Sequence, residues 1–471
     1  MNWFGAVFLS GIVSEAAVEV NIRSELSLYK FMSSKAKEKI AVFWFRRDLR
    51  LHDNAGLYRA LKSDYPVIPL FIFDRNILDQ IEDKNDSRLT FIYNAILQIR
   101  KELKNNGSDI LVHYGFPVEI WKKLSEEYDI AEVYTNSDYE PYATDRDSEV
   151  AQIIQKKNGV FKAYKDQVIF EKNEILNQKN MPYTVFTAYS RAWKSKCNRF
   201  YLSSYPTEKY FDNLYKWKAP DFPSLEEMGF RKSDYNFPSS VVPVELLQRY
   251  EKERDFPAME STSRIGIHLR FGTVSIRKLA REAQENSSVY LSELIWRDFY
   301  QQILWNFPFV GTGKAFRAAY DRIKWRYDKE DFRKWCEGKT GYPLVDAGMR
   351  QLNEIGFMHN RLRMVTASFL SKHLLINWRL GEAYFADKLL DYDLAANNGG
   401  WQWAAGSGTD AAPYFRIFNP EAQAKRFDSK GEYIKRWVPE IGTDAYPEPI
   451  VDHQFARDRC LKAYKEALDQ K

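Results

Sequence analysis

The chain has 471 residues, with 69 Lys and Arg against 64 Asp and Glu, a formal net charge of +5, and 45% apolar residues. That length carries about three domains' worth of chain and an ample core, which excludes a fibre, a disordered tail and a miniprotein dependent on a disulfide or metal staple. The net charge is too small to reveal a polyanion partner in bulk, so any such site is a local patch.

The opening segment Met1–Ala17 is apolar, but it has no basic start, acids follow at Glu15 and Glu19, and no run is long enough to span a bilayer. It is read as neither an export signal nor an anchor. Residues 1–37 are taken as an extension, or as the product of a misassigned start with Met32 as the alternative initiator. From Ile40 the pattern changes. Ile40–Phe45, Val67–Phe73, Ile110–His113 and Glu132–Tyr134 read as short buried strands, with helices about Ser87–Asn105, Val118–Tyr128 and Arg146–Lys157 between them. Such alternation predicts an α/β domain over 38–167 with a parallel, Rossmann-like sheet. No GxGxxG follows the first strand; Arg46-Arg47-Asp48-Leu49-Arg50 stands there instead. Residues 168–241, interrupted by Pro182, Pro206, Pro220, Pro223 and Pro238, read as an interdomain linker. Helical periodicity dominates 242–464, as in Tyr342–Asn377, and predicts an all-α C-terminal domain.

Cys197, Cys336 and Cys460 lie far apart, with no CxxC or Cys/His cluster, so neither a disulfide framework nor a metal site is indicated and a reducing cytoplasm fits best. Aromatic residues reach 15%, with 13 Trp and 29 Tyr, more than an ordinary core needs; such rings serve packing, base stacking or electron relay. Two segments imitate phosphate loops and fail: Gly338-Lys339-Thr340 has Arg333 where the leading glycine belongs, and Gly311-Thr312-Gly313-Lys314 has Pro308. No Ser/His/Asp elbow and no HExxH occur. Chemistry concentrates instead between Asp391 and Pro420, where Asp391, Asp393, Asn397, Asn398, Gly399, Gly400, Trp401 and Trp403 crowd together. Acids, amides, paired glycines and indoles combine close backbone approach, hydrogen bonding and flat apolar surface, which suits a large planar ligand.

Over about Ile40 to Glu440 the sequence resembles the DNA photolyases and cryptochromes, most closely the class I cyclobutane pyrimidine dimer photolyases. The resemblance rests on FWFRRDLRLHDN from Phe43, PYTVFTAYSRAW from Pro182, RDFPAMESTSR from Arg254, ELIWRDFY from Glu293, GKTGYPLVDAGMRQL from Gly338, MHNRLRM from Met358 and the run at Asp391. It implies a helical domain that binds folded FAD and a monomeric, cytoplasmic enzyme that splits pyrimidine dimers in UV-damaged DNA with light, with no membrane association. By position it assigns FAD binding to Tyr250, Thr262, Ser263, Arg264, Ile265, Gly266, Tyr290, Arg297, Asn360, Arg363, Asp391, Tyr392, Asp393 and Asn397. Asn397 matches the position facing flavin N5, where plant cryptochromes carry an acid; an amide donates no titratable proton, which favours repair over signalling.

Trp401, Trp378 and Trp325 match the family's outward electron relay. Glu293, Trp296, Asn360, Met364 and Trp403 match the lesion pocket, and photolyases for (6-4) lesions place histidines where this chain has Asn360 and Met364. Arg254, Arg361 and Gln423 match DNA contacts, with Lys425, Arg426, Lys430, Lys435 and Arg436 adding a basic stretch. Gly266-Ile267-His268 stands where relatives often have Ser-Pro-Tyr, and Phe357 replaces a frequent Trp, from which altered packing with FAD retained is expected. Ala143 and Gly311-Thr312 replace the glutamate and Cys-Lys pair of folate-binding relatives. A folate antenna is therefore disfavoured, and a deazaflavin, another flavin or no second chromophore stays open. The rival reading is a cryptochrome-type blue-light receptor; such proteins usually add a long signalling tail, whereas this sequence ends soon after Pro439.

Overall fold

A computed structural model describes residues 38–469, so the reading of residues 1–37 as an extension or misassigned start lies outside the described residues. The strands β1 (Lys39–Phe45), β2 (Val67–Asp74), β3 (Leu111–Gly115), β4 (Asp129–Asn136) and β5 (Val160–Tyr164) form one parallel sheet in the order β3-β2-β1-β4-β5. Central strands covered on both faces need apolar residues on both, and the alternation in β1 and β2 divides them. Phe43, Phe45, Phe71 and Phe73 pack with Leu57, Leu89 and Ile96 on one side. Val42, Trp44, Ile68 and Leu70 pack with Trp121, Leu124 and Val150 on the other.

The fifth strand was not anticipated from sequence. It is an edge strand whose Lys162 pairs with Glu132 at 2.5 Å, so it lacks the apolar run that marks the inner strands. Helices Pro117–Glu127 and Pro141–Lys156 begin earlier than expected because proline fits the first helical turn, where its missing N–H has no partner to lose. The proline-rich stretch 168–241 is not wholly irregular: it contains helix Phe186–Lys196 and a 3₁₀ turn over Thr207–Asn213, and Tyr215 donates to the Val67 carbonyl at 2.8 Å.

The second half is helical from Val244–Glu253 to His453–Asp469. The periodic stretch Tyr342–Asn377 is broken: helix Pro343–Ile355 stops at Gly356 (φ 59°), helix Asn360–Ser368 restarts under a His359 cap, and a π-turn covers Phe369–His373. The phosphate-loop imitation resolves as a helix cap, with Gly338 left-handed at φ 62° and both the amide and hydroxyl of Thr340 donating to Asp346 Oδ1 at 2.7 Å.

The arginines after β1 fasten the halves together. Leu49 N donates to Phe271 O at 2.9 Å, Arg50 Nη1 donates to the Gly272 carbonyl at 2.9 Å, and Arg277 bridges Asp53 and Asp166, each at 2.8 Å. A Cβ on Gly272 (φ 65°) would stand 2.1 Å from the Arg47 carbonyl, so only glycine permits this approach.

Candidate functional site

The helical half encloses a cavity of about 440 Å³. Three helices form its walls; in the first two the lining residues follow one another at spacings of three and one, and in the third Trp403 adds a step of two. Helix Ser288–Asn306 contributes Glu293, Trp296, Arg297 and Tyr300; helix Asn360–Ser368 contributes Asn360, Arg363, Met364 and Ala367; helix Leu394–Ala405 contributes Ala396, Asn397, Gly400, Trp401 and Trp403. Gly266, Leu269, Arg270, Phe385, Leu389, Asp391, Tyr392, Asp393 and Arg254 complete the lining.

Adjacent glycines in the third helix differ in purpose. A Cβ on Gly399 would stand 2.2 Å from the Tyr300 ring, whereas one on Gly400 meets nothing within 4 Å. Gly399 thus permits helix packing, and Gly400 leaves open volume directly over the helix backbone. Gly266 abuts Asp391 in the first manner, since its Cβ would lie 2.5 Å from the carboxylate oxygen. The left-handed Arg264 (φ 49°) turns the chain into that contact.

Charges at the cavity are arranged unevenly. Arg363 Nη2 holds Asp391 at 2.9 and 3.1 Å while its Nε donates to the Met358 carbonyl at 2.8 Å. Asp393 caps the third helix through Ala396 N at 3.1 Å, accepts from Gln301 at 3.0 and 3.1 Å and is bridged by Arg47 from the α/β half. Burial works against its charge, but Arg47, Arg270 and Arg297 outweigh burial and hold this carboxyl well below the usual range. Arg297 itself forms no salt bridge among the described residues, Asp393 and Asp298 acting on it only at longer range; it donates to the carbonyls of Gln167 and Leu269, and burial pulls its pKa down. A guanidinium left this way beside a cavity suits an anionic ligand.

Behind Arg297, Asp298 is 1% exposed and accepts from Trp193 Nε1 at 2.9 Å, Ile169 N at 3.1 Å and Phe170 N at 3.2 Å. Burial nevertheless pushes this carboxyl from 3.8 up to about 6. Because the folded value is the higher one, its stabilising contribution is full below the unfolded value and is lost as pH rises through the folded one. Asp298→Asn is expected to remove a decline of about 1.4 kcal/mol per pH unit from that window, measured as the pH dependence of the urea midpoint.

Some residues named from sequence stand beside the cavity rather than on its surface. Tyr250 and Tyr290 pack edge to face at 5.0 Å, and Ser263 Oγ lies 3.0 Å from the Tyr290 hydroxyl. Thr262, Arg264 and Ile265 belong to the same flanking segment, where Arg264 pairs with Glu260 at 3.1 Å. Trp378, 1% exposed, and the half-buried Trp325 lie outside the lining but in one apolar cluster with Trp401. Trp401 is 5.0 Å from Phe385 and 6.0 Å from Trp335, and Trp325 is 6.0 Å from Tyr464.

On the more accessible side, Trp296 stacks on Phe186 at 3.6 Å, Arg254 pairs with Glu293 at 2.5 Å and Arg361 with Asp255 at 2.6 Å. Gln423 buries an Oε1 without a partner. His268 lies off the cavity, bonded to Thr273 at 2.7 Å and to the Pro238 carbonyl at 2.9 Å. Ala143 is buried, and Gly311 lies against Leu304 and Pro141 of the Ala143 helix. Sequence reasoning passed over Tyr300, Arg270, Phe385 and Leu389 as lining; the first three lie one or two helical turns from a named residue, and that spacing was the available signal, whereas Leu389 lies just past the end of its helix, two residues before Asp391.

Fold and cavity define a class: a parallel α/β sheet joined to a helical body whose cavity is lined by a guanidinium bound only to carbonyls, by carboxylate-guanidinium pairs and by several indoles. Residues 41–209 match the family DNA photolyase, and residues 290–443 match the FAD binding domain of DNA photolyase. The chain is 38% identical over 467 residues to the deoxyribodipyrimidine photo-lyase of Escherichia coli, covering 90% of this chain and 98% of that protein. Among solved structures, it superimposes with a TM-score of 0.81 on a bacterial class III photolyase from Agrobacterium tumefaciens at 31% identity, covering 92% of this chain and 98% of that one. An archaeal photolyase from Sulfolobus tokodaii, solved with two FAD molecules, gives 0.77 at 33% identity, covering 90% and 99%. The chain belongs to the DNA photolyase family. No helix among the described residues is long and apolar enough to cross a membrane.

Proposed function

We propose that this protein is a monomeric, cytoplasmic deoxyribodipyrimidine photo-lyase that uses light and FAD to repair cyclobutane pyrimidine dimers in UV-damaged DNA. The observation that supports it most is that Asn397 and the buried Trp401 share one cavity with Glu293, Trp296, Met364 and Trp403, which are partly exposed. A cofactor floor and a base-sized entrance are thereby contiguous. On this reading residues 38–167 form the antenna domain, 168–241 the linker and 242–464 the FAD- and DNA-binding domain.

Three features fit FAD: open volume over Gly400, a guanidinium at Arg297 that forms no salt bridge among the described residues, and the hydrogen-bonded Arg363–Asp391 pair. When bound and reduced, FAD supplies the photoexcited electron that opens the dimer ring and then recovers it. Arg297 would offset the charge of its phosphates, and the hydroxyls of Thr262, Ser263, Tyr250 and Tyr290, on the flanking segment, would help hold it. Asp393, Tyr392, Gly266 and Asn360 shape the remaining contacts, with Arg264 and Ile265 fixing the turn. Asn397 donates through Nδ2 to the Glu382 carbonyl at 3.1 Å, so its oxygen is left as an acceptor without a titratable proton. Trp401, Trp378 and Trp325 relay an electron from the surface inward.

At the entrance Trp296 and Trp403 stack on the flipped dimer, Glu293 and Asn360 hydrogen-bond it, and Met364 adds soft apolar contact. Neither Asn360 nor Met364 can transfer a proton, which favours the cyclobutane dimer over the (6-4) lesion. Arg254, Arg361 and Gln423 meet the DNA strand. With Ala143 and Gly311-Thr312 in place of the glutamate and Cys-Lys pair of folate-binding relatives, a second chromophore, where carried, is a deazaflavin or flavin rather than a folate.

The test is dark binding of the FAD-loaded protein to an oligonucleotide with one thymine dimer and to its undamaged twin. A preference of about a thousandfold for the dimer is expected. Equal affinities would transfer the case to a photoreceptor.

A further inference from the structure

Both arginines assigned to the DNA face are tied to carboxylates in the DNA-free protein. Arg361 Nη2 stands 2.6 Å from Asp255 Oδ1, with its guanidinium 4.2 Å over the Phe427 ring. Arg254 Nη1 stands 2.5 Å from Glu293 Oε1, with its guanidinium 5.1 Å over Tyr250. Lys425 and Arg426, on the same helix as Phe427, have no carboxylate partner among the described residues. Glu293 faces the cavity, so the cavity accounts for its place. Asp255 does not line the cavity, and its side chain is 42% exposed against 18% for Arg361. Nothing in the site described above requires an acid there.

A carboxylate offers a guanidinium the same paired-oxygen geometry as a backbone phosphate. Arg361 is held flat by Phe427 and capped at its tip by Asp255. A phosphate can take that position only by displacing or sharing with the acid, and the pair opens to solvent on its Asp255 side, where an incoming anion can exchange for the carboxylate.

We propose that Asp255 competes with a DNA backbone phosphate for Arg361, acting as a brake on DNA affinity that hastens release of repaired DNA. This rests on the reading that Arg361 meets DNA. Asp255 is a positioning residue in this scheme: it keeps the guanidinium in contact geometry while DNA is absent and re-forms the pair as the strand leaves. Because the competition concerns the backbone, it acts on undamaged DNA, the repair product, as well as on the lesion.

The test is a double-mutant cycle on the FAD-loaded protein in the dark, with an undamaged duplex as probe. Asp255→Asn is expected to tighten binding about two- to fivefold and to slow dissociation. Arg361→Gln should weaken binding, and adding Asp255→Asn to it should change nothing further. Asp255→Ala provides a second variant, and flavin content reports folding. A structural defect would weaken binding, the opposite sign. If Asp255→Asn tightens binding equally when Arg361 is absent, or leaves wild-type affinity unchanged, the competition is overturned while the DNA contact stands. If Arg361→Gln alone leaves affinity unchanged, the contact itself falls and the proposal with it.

Discussion

Gly400→Leu is expected to yield a folded protein that carries no flavin. Gly400 is helical, lines the cavity and has nothing within 4 Å of its would-be Cβ, so a side chain there starts in open space and extends into the cavity. Leucine is also the better helix former by close to 1 kcal/mol, so the thermal midpoint of the apoprotein should hold or rise slightly. The added side chain fills the volume assigned to FAD, and the flavin absorbance of the purified protein should fall to background. Gly399→Ala gives the contrast. Its methyl would stand 2.2 Å from the Tyr300 ring, so it should destabilise by about 1–3 kcal/mol through overpacking. A coloured Gly400→Leu protein would mean that the cofactor lies elsewhere.

Trp296→Ala is expected to weaken dark binding to dimer-containing DNA by about 1–3 kcal/mol, or roughly five- to 150-fold. The indole is held face to face on Phe186 at 3.6 Å with an interplanar angle of 5°, so it is already oriented as a stacking platform. Backbone-only binding does not use that surface. Affinity for undamaged duplex, measured by the same titration, should move little, and flavin content should stay near one per chain. Equal loss for both DNAs would mark Trp296 as a packing residue only.

Sequence made the inner strands legible because β1 and β2 are buried on both faces and read as unbroken apolar runs. β5 escaped because an edge strand tolerates Lys162, and the start of helix Pro141–Lys156 escaped because its opening proline resembles a break. The cavity walls were legible for a different reason: Asn360, Arg363 and Met364, or Asn397 and Trp401, match the motif positions of the family the sequence resembles, and their helical spacing puts them on one face. Contacts across great sequence separation carried no such signal. Arg47 and Asp393 are 346 positions apart, and nothing local to FWFRRDLR announces that its second arginine reaches a carboxylate of the cavity wall. The Asp255–Arg361 pair was hidden likewise, since each residue sits in a motif that explains it without the other. His268 shows the converse. Its departure from the family's usual tyrosine is absorbed by Thr273, Pro238 and the Phe91 ring at 5.2 Å, away from the cavity, as a packing difference would be.

The account depends on one cavity serving both flavin and lesion, and illumination tests that most directly. FAD-loaded protein, chemically reduced beforehand, is mixed with an oligonucleotide containing a single thymine dimer, and intact dimer is counted after equal times in blue light and in darkness. Loss of dimer in light alone, with intact thymines recovered, is the predicted result. Unchanged dimer under illumination, with reduced flavin bound and the DNA in complex, would contradict it.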